Sequence, residues 1–209
     1  MNVAVFVSLV LFLLPLQQPF VRFSYCHEYP AGLYEKHCID LKPDGTGQTS
    51  LKRRGFDPIL ANVTLSPAGR DKFLSVVAGT RNLADAPKYE STKKVANLGP
   101  KHIVLELASG TKEARFNFSE LKEVAALTTF FDALVNQQVM ASEMEIAAQY
   151  ERLSIPDRLD ELERQLKVGR IGDPPGLIPL LDKLMANERI LAYAREHAQM
   201  LKDEILRSK

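Results

Sequence analysis

Apolar and polar residues alternate with a period of two in the first half of the chain. The clearest case is HIVLELASGTKEARFNF, residues 102–118, where every second position is apolar on both sides of a Ser109-Gly110 turn. Such alternation places one set of side chains on each face of a strand. The pattern predicts an antiparallel hairpin with one face turned towards a core.

Two further stretches of this half are typical of strands. LYEKHCIDLKPDGTGQTSLKRRG, residues 33–55, has an Asp44-Gly45 turn signal between two extended runs, and Gly47 close behind it predicts a loop longer than two residues or a bulge. FDPILANVTL, residues 56–65, is another strand, and Pro58 near its start favours a position at the sheet edge. SPAGRDKFLSVVAG then predicts a short helix, capped by Ser66 and ending at Gly79.

From Ser119 onwards the apolar period changes to about 3.6, which predicts helices. The first runs through residues 119–153 and either continues past Asn136 or restarts there. A second, SIPDRLDELERQLKVG, opens with a Ser154 capping box and stops at Gly169. The rest, from Asp173, adds one or two more, and the short connections make neighbouring helices antiparallel.

The predicted fold class is therefore α+β: a small antiparallel sheet of hairpins with one packed helix, followed by an antiparallel bundle of three or four helices. The predicted organisation is a signal peptide at 1–20, a β-rich domain at 21–118 and a helical region at 119–209. Residues 22–118 carry 15 Lys and Arg against 10 Asp and Glu, a net +5, and residues 119–209 carry 12 against 16, a net −4. This asymmetry indicates that the halves dock on each other, or that the first has a basic binding face.

The amino terminus predicts export. Val3 to Leu16 is an apolar run broken only by Ser8 and Pro15, too short for comfortable bilayer spanning and suited to a signal-peptide core. No Lys or Arg precedes the run and no clear cleavage site follows it, so an uncleaved membrane anchor stays an alternative. The expected localisation is periplasmic or secreted, with any membrane contact made through this segment.

Both cysteines lie in YCHEYPAGLYEKHC, residues 25–38, where a Cys-His pair mirrors a His-Cys pair. Antiparallel pairing of residues whose numbers sum to 64 sets Cys26 opposite Cys38 and His27 opposite His37. Adjacent strand residues face opposite sides, so the cysteines share one face and the histidines the other. That arrangement favours a Cys26–Cys38 disulfide over a four-ligand zinc site. Two unpaired thiols, or a metal at His27 and His37, remain alternatives.

Candidate catalytic chemistry is sparse. A Cys-His nucleophilic pair needs both groups within hydrogen-bond reach, which this register denies. His102 could pair with Glu106 on the same strand face, and His197 has no obvious partner. No serine elbow, P-loop, dinucleotide fingerprint or His-Glu-x-x-His motif occurs in the sequence. The sequence predicts no cofactor and no resident metal.

Two basic runs could form a face for an anionic ligand or a partner: Lys52, Arg53, Arg54, Lys93 and Lys94. Nucleic acid is not expected, because no exposed aromatics are interleaved with these residues. The favoured function is an exported, non-catalytic binding or assembly module that takes an unknown protein partner or forms a homo-oligomer. The alternative is a small thiol- or histidine-dependent hydrolase or a metal-binding enzyme.

Overall fold

The computed structural model describes residues 20–29, 32, 34–81 and 89–208. The expected signal peptide therefore lies outside the described residues except for Phe20, which begins the first strand. Within the described part, no helix is both long and apolar enough to cross a membrane.

Within the described residues six strands form a single antiparallel sheet, and the α+β prediction is confirmed. Their order across the sheet is β4-β3-β2-β1-β5-β6. The strands are β1 (Phe20–Glu28), β2 (Tyr34–Leu41), β3 (Thr46–Arg53), β4 (Ile59–Thr64), β5 (Lys101–Leu107) and β6 (Gly110–Phe116). Strand β4 lies at the edge of the sheet, as predicted from Pro58 just before it. A residue without a backbone N–H is tolerated best beside an edge strand.

The predicted register of the first hairpin is confirmed residue by residue. Cys26 lies opposite Cys38, His27 opposite His37, and Glu28 opposite Lys36. The second hairpin pairs Leu41 with Gly47, which leaves a loop longer than two residues, as the sequence indicates. The side chains of Tyr25 and His27 therefore lie on one face of β1, and the side chain of Cys26 lies on the other.

Five helices follow or interrupt the strands of the described chain. They are α1 (Pro67–Arg81), α2 (Lys122–Tyr150), α3 (Ile155–Lys167), α4 (Ile178–Ala186) and α5 (Ala192–Arg207). Short 3-10 helices at Arg152–Ser154 and Pro174–Leu177 precede α3 and α4. The last four helices form the predicted bundle.

Helix α2 belongs to two hydrophobic cores. Its first half, including Phe131 and Leu134, packs with α1 against the inner face of the sheet, where Phe23 and Phe73 are also buried. Its second half joins α3, α4 and α5 through residues such as Met144. One continuous helix thus ties the sheet to the bundle, and it does not restart after Asn136. Two helices, rather than one, cover the sheet.

Three local predictions at helix ends have different outcomes. Gly79 does not end α1, which continues to Arg81. The prediction of a capping box at Ser154 is also wrong. The Ser154 hydroxyl donates a hydrogen bond to the carbonyl of Glu151 and accepts none from the backbone N–H groups of the first turn of α3. The reason is that a 3-10 turn leads directly into that helix. Gly169 does end α3, with φ +70° and its N–H bonded to Leu166.

A buried carboxylate joins the bundle to the sheet half. Asp173 is 1% exposed and accepts hydrogen bonds from the backbone N–H and the hydroxyl of Ser66. The Ser66 hydroxyl in turn accepts from the N–H of Gly69, so it caps α1 as predicted. The backbone N–H of Asp173 is held by the buried Gln137 of α2. This polar junction adds to the apolar packing of α2 against the sheet in joining the two halves.

Few ion pairs cross between the two halves. Among the pairs that the structure gives for the described residues, Lys93–Glu120 and His27–Asp132 join residues before 119 to residues after it. In the basic run, Lys52 bonds to a carbonyl of its own half, and Arg54 faces Glu35 of that half. The opposite net charges of the halves therefore contribute little to their docking.

Candidate functional site

Three side chains from the β1 end converge on one carboxylate of α2. The hydroxyl of Tyr25 donates to Oδ1 of Asp132 at 2.7 Å, and that of Tyr29 does so at 3.4 Å. Nδ1 of His27 lies 2.9 Å from the same oxygen. Tyr25 and His27 both reach this oxygen because residues two apart on a strand share a face, here the inner face of β1. We call Tyr25, His27, Tyr29, His37 and Asp132 the aspartate cluster.

Both ring nitrogens of His27 are engaged. Nε2 lies 3.1 Å from the backbone carbonyl of Leu98, opposite the contact with Asp132. Carboxylate and carbonyl oxygens only accept, so both contacts are hydrogen bonds when the ring carries a proton on each nitrogen. Neither nitrogen of His27 is without a protein contact. The His27–Asp132 pair resembles a catalytic His-Asp couple in composition only, because Nε2 of His27 contacts the Leu98 carbonyl rather than a site open to substrate.

His37 differs from His27 in having unsatisfied nitrogens. Both are buried and find no hydrogen-bond partner among the described residues. Its ring packs against Tyr29, with centroids 4.8 Å apart, and against Tyr34 at 5.5 Å. Burial and the neighbouring His27 charge lower the pKa of His37 to about 4. At neutral pH this ring is an uncharged packing element of the cluster.

The two tyrosines keep their protons. Burial, followed by the negative charge of Asp132, raises the pKa of Tyr25 far above its ordinary value, and the same causes raise the pKa of Tyr29. Each phenol is therefore a hydrogen-bond donor to the carboxylate. The aspartate cluster is a set of donors around one acceptor, which orders the sheet against α2.

A small cavity reaches Asp132 from the surface. Its volume is about 360 Å³, and Asn136 and Arg170 are among its lining residues. Thr129 also lines it, but no cysteine, histidine or serine of the described chain does. The cavity supplies a carboxylate and a guanidinium without a nucleophile paired to a base, so these residues lack the constellation of a hydrolase.

Two groups of side chains bear on metal binding. The ring of Tyr29 packs against both His27 and His37, at 4.0 and 4.8 Å between centroids, and both nitrogens of His27 contact protein oxygens. In the described residues, Asp160, Glu163 and His197 form a cluster with ligand atoms within 4.8 Å of one another.

The second group is better explained as side-chain contacts between two helices. Nε2 of His197 lies 3.1 Å from Glu163, and Nδ1 lies 3.5 Å from Asp160. The two carboxylates contact different nitrogens of the His197 ring. A metal ion bound to one of these nitrogens would need both carboxylates beside that same nitrogen. His197 thus links α5 to α3. The sequence did not suggest its partners Glu163 and Asp160. The possible pairing of His102 with Glu106 does not occur, since His102 contacts Glu113 and Glu106 binds Arg22.

Cys26 and Cys38 stand at disulfide distance, with Sγ atoms 2.08 Å apart. They lie on the outer face of the sheet, away from the histidines, as the register predicts. Neither sulfur is then available as a nucleophile or a metal ligand.

The predicted basic face is centred on the turn between β3 and β4. Nζ of Lys52 donates to the carbonyl of Phe56, and the guanidinium of Arg53 lies 5.0 Å from the Phe56 ring centroid. Lys93, in the segment before β5, pairs instead with Glu120 at the start of the helical half. The two basic runs therefore belong to different neighbourhoods of the fold.

Large apolar side chains are exposed where α2 ends. Tyr150 is 78% and Leu153 80% exposed, and both line a cavity of about 540 Å³ with Arg152 and Arg189. Ile146, also exposed, lies one helical turn before Tyr150 on the same face. We call Ile146, Tyr150, Arg152, Leu153 and Arg189 the α2-end surface.

Sequence reasoning missed Asp132 and the α2-end surface. A signal for Asp132 was present, because it is the one acidic residue in the apolar run TTFFDALV. A lone carboxylate within an apolar helical stretch indicates that polar partners lie nearby. Tyr150 and Leu153 gave no such signal, since their apolar character fits a core helix equally well.

No protein-family model matches the chain, and no curated protein matches it.

Proposed function

We propose that this chain is an exported, non-catalytic assembly module that associates through the α2-end surface with a second copy of itself. The observation that carries the proposal is the pair of highly exposed side chains, Tyr150 and Leu153, around one cavity. Scattered exposed apolar residues are normal, but an aromatic and a leucine grouped with arginines have the composition of an interface centre.

The charges beside these residues favour a second copy over an unrelated partner. Glu151 lines the same cavity as Arg152 and Arg189, and the exposed Glu188 adjoins Arg189. A two-fold interface brings one patch against itself, so charged groups within it find partners when both signs are present. This surface has both.

The hydrolase alternative finds no support in the geometry. The cysteines stand at disulfide distance, His27 has both nitrogens engaged, and His37 has no carboxylate of the described chain bonded to it. A cysteine pair at this distance is typical of proteins in an oxidising compartment, which favours export to the periplasm or beyond.

Sedimentation equilibrium tests the association directly. We expect wild-type protein to dimerise in the micromolar range and Tyr150→Ser/Leu153→Ser to remain monomeric. The matched control is Met200→Ser/Leu206→Ser, which removes two exposed apolar side chains from α5. A wild-type monomer at all concentrations, or equal effects of both double variants, would contradict the proposal; the first result would leave a different protein as the partner.

A thiol and metal assay separates the two function classes. We expect no free thiol in the native exported protein, two after reduction in denaturant, and no stoichiometric metal. A reactive free thiol or a bound metal would favour the enzyme alternative instead.

A further inference from the structure

The turn between β3 and β4 is exposed without interruption. All eight residues from Arg53 to Leu60 are exposed, and a Cβ placed on Gly55 would meet no described atom within 4 Å apart from those of its two chain neighbours. Gly55 has φ +77°, which reverses the chain at low cost. The segment therefore projects from the sheet corner, with no other element of the described chain covering it.

Three large apolar side chains occupy this projection. Phe56 and Leu60 are each 60% exposed, and Ile59 is 42% exposed. Leu60 lies opposite Ser50 on the outer face, whereas Ile59 lies opposite the buried Leu51. The apolar groups are thus spread around the end of the hairpin, as in a tip that enters an apolar phase, rather than along one flat face.

Cations accompany these groups. Lys52, Arg53 and Arg54 precede the turn, and Asp57 is the one acid between residues 52 and 60, so the segment has a net charge of +2. Lys52 and Arg53 are held against Phe56 through its carbonyl and its ring. This places positive charge beside the aromatic ring at the apolar tip.

We propose that the β3–β4 turn is a contact site for an anionic lipid membrane. Apolar side chains at the tip enter the headgroup boundary while the neighbouring cations meet anionic lipid, and the two contributions reinforce each other. Leu60 and Ile59 lie on opposite faces of the hairpin end, so the apolar side chains surround a projecting tip rather than form the single face that a protein interface uses. The charge and shape thus favour a lipid surface over an acidic protein. This proposal is independent of the α2-end surface.

The absence of tryptophan from the chain gives a local probe. Phe56→Trp places a single indole at the tip, and Met200→Trp places one at an exposed position of α5 as the control. Fluorescence is measured with vesicles of phosphatidylcholine alone and with vesicles in which part of this lipid is replaced by phosphatidylserine. Because the readout is local to one residue, binding through another segment does not produce it.

We expect a blue shift of the indole emission in the Phe56→Trp variant, and its quenching by brominated lipid, with the anionic vesicles only. Adding Arg53→Glu to this variant should weaken its vesicle affinity at least ~10-fold, because two units of positive charge are lost beside the lipid. Lys122→Glu, the same charge change on α2, should change the affinity less than ~2-fold, since it lies outside the tip. Circular dichroism confirms that each variant is folded.

Three results would overturn the proposal. They are an unshifted emission in the Phe56→Trp variant, equal shifts in the Phe56→Trp and Met200→Trp variants, and equal binding to neutral and anionic vesicles. Binding of polyglutamate at the tip without binding of vesicles would also overturn it and would reassign the turn to an acidic protein partner.

Discussion

The carboxylate of Asp173 accepts hydrogen bonds from the backbone N–H and the hydroxyl of Ser66, which lies 107 positions earlier in the chain. The contact places a bundle residue at the amino terminus of α1, where free N–H groups and the helix dipole favour negative charge. Since Asp173 is buried, water does not substitute for these contacts. The contact therefore adds a buried polar link between the bundle and α1 to the apolar packing that α2 makes with both cores.

Removing this carboxylate should destabilise the whole protein. We expect Asp173→Asn to lower the free energy of unfolding by about 2–3 kcal/mol, because a buried charge-assisted contact is lost. Asp182→Asn, which breaks an exposed pair with Lys202, should cost less than about 0.5 kcal/mol. Urea denaturation measures both. In a double-mutant cycle with Ser66→Ala, a coupling near zero would show that the contact contributes nothing.

Two glycines of α1 should respond oppositely to alanine. A Cβ at Gly69 would collide with the carboxylate of Asp173, so Gly69→Ala should cost about 1–3 kcal/mol. At Gly79 the nearest atoms are 3.7 Å away and belong to the Glu123 side chain. Gly79→Ala should therefore stabilise the helix by about 0.5–1 kcal/mol. Equal changes in thermal midpoint would refute the close approach at Gly69.

Loss of the Cys26–Cys38 bond should weaken the fold without abolishing it. Closing a loop between residues 12 positions apart stabilises a protein by about 3 kcal/mol on loop-entropy grounds. We expect Cys26→Ala/Cys38→Ala to lower the free energy of unfolding by about 2–3 kcal/mol. Reductant should shift the wild-type urea midpoint and leave the variant unchanged; a wild-type midpoint insensitive to reductant would contradict the bond.

His37 should make stability depend on acidity. Its pKa is about 4 in the fold against 6.5 for the free side chain, so the unfolded chain binds more protons between these values. Stability should fall as pH drops from about 6.5 to about 4, by roughly 1–2 kcal/mol after allowance for partial exposure. His37→Gln should reduce this slope. Identical slopes in the wild-type protein and the His37→Gln variant would exclude His37 as the source.

The mirrored order of Cys26, His27, His37 and Cys38 was sufficient to predict a register that the structure reproduces. Local signals of this kind work because hairpin partners are close in sequence. Asp132 could be suspected but not assigned, since its partner His27 is 105 positions away and no periodicity encodes that distance. Ser154 failed as a cap because the 3-10 turn before it changed the geometry that a capping motif assumes.

Exposure of Tyr150 and Leu153 could not be read from the sequence at all. An amphipathic pattern marks an apolar face, but whether another helix covers that face depends on the path of the whole chain. Only the structure shows that the described bundle leaves this end of α2 open.

Hydrogen–deuterium exchange at low and high protein concentration tests the central claim most directly, because it locates the surface on which copies associate. We expect slower exchange at high concentration in residues 146–154 and 187–193, with the sheet unchanged. Protection confined to other segments, or none at any concentration, would contradict association through the α2-end surface.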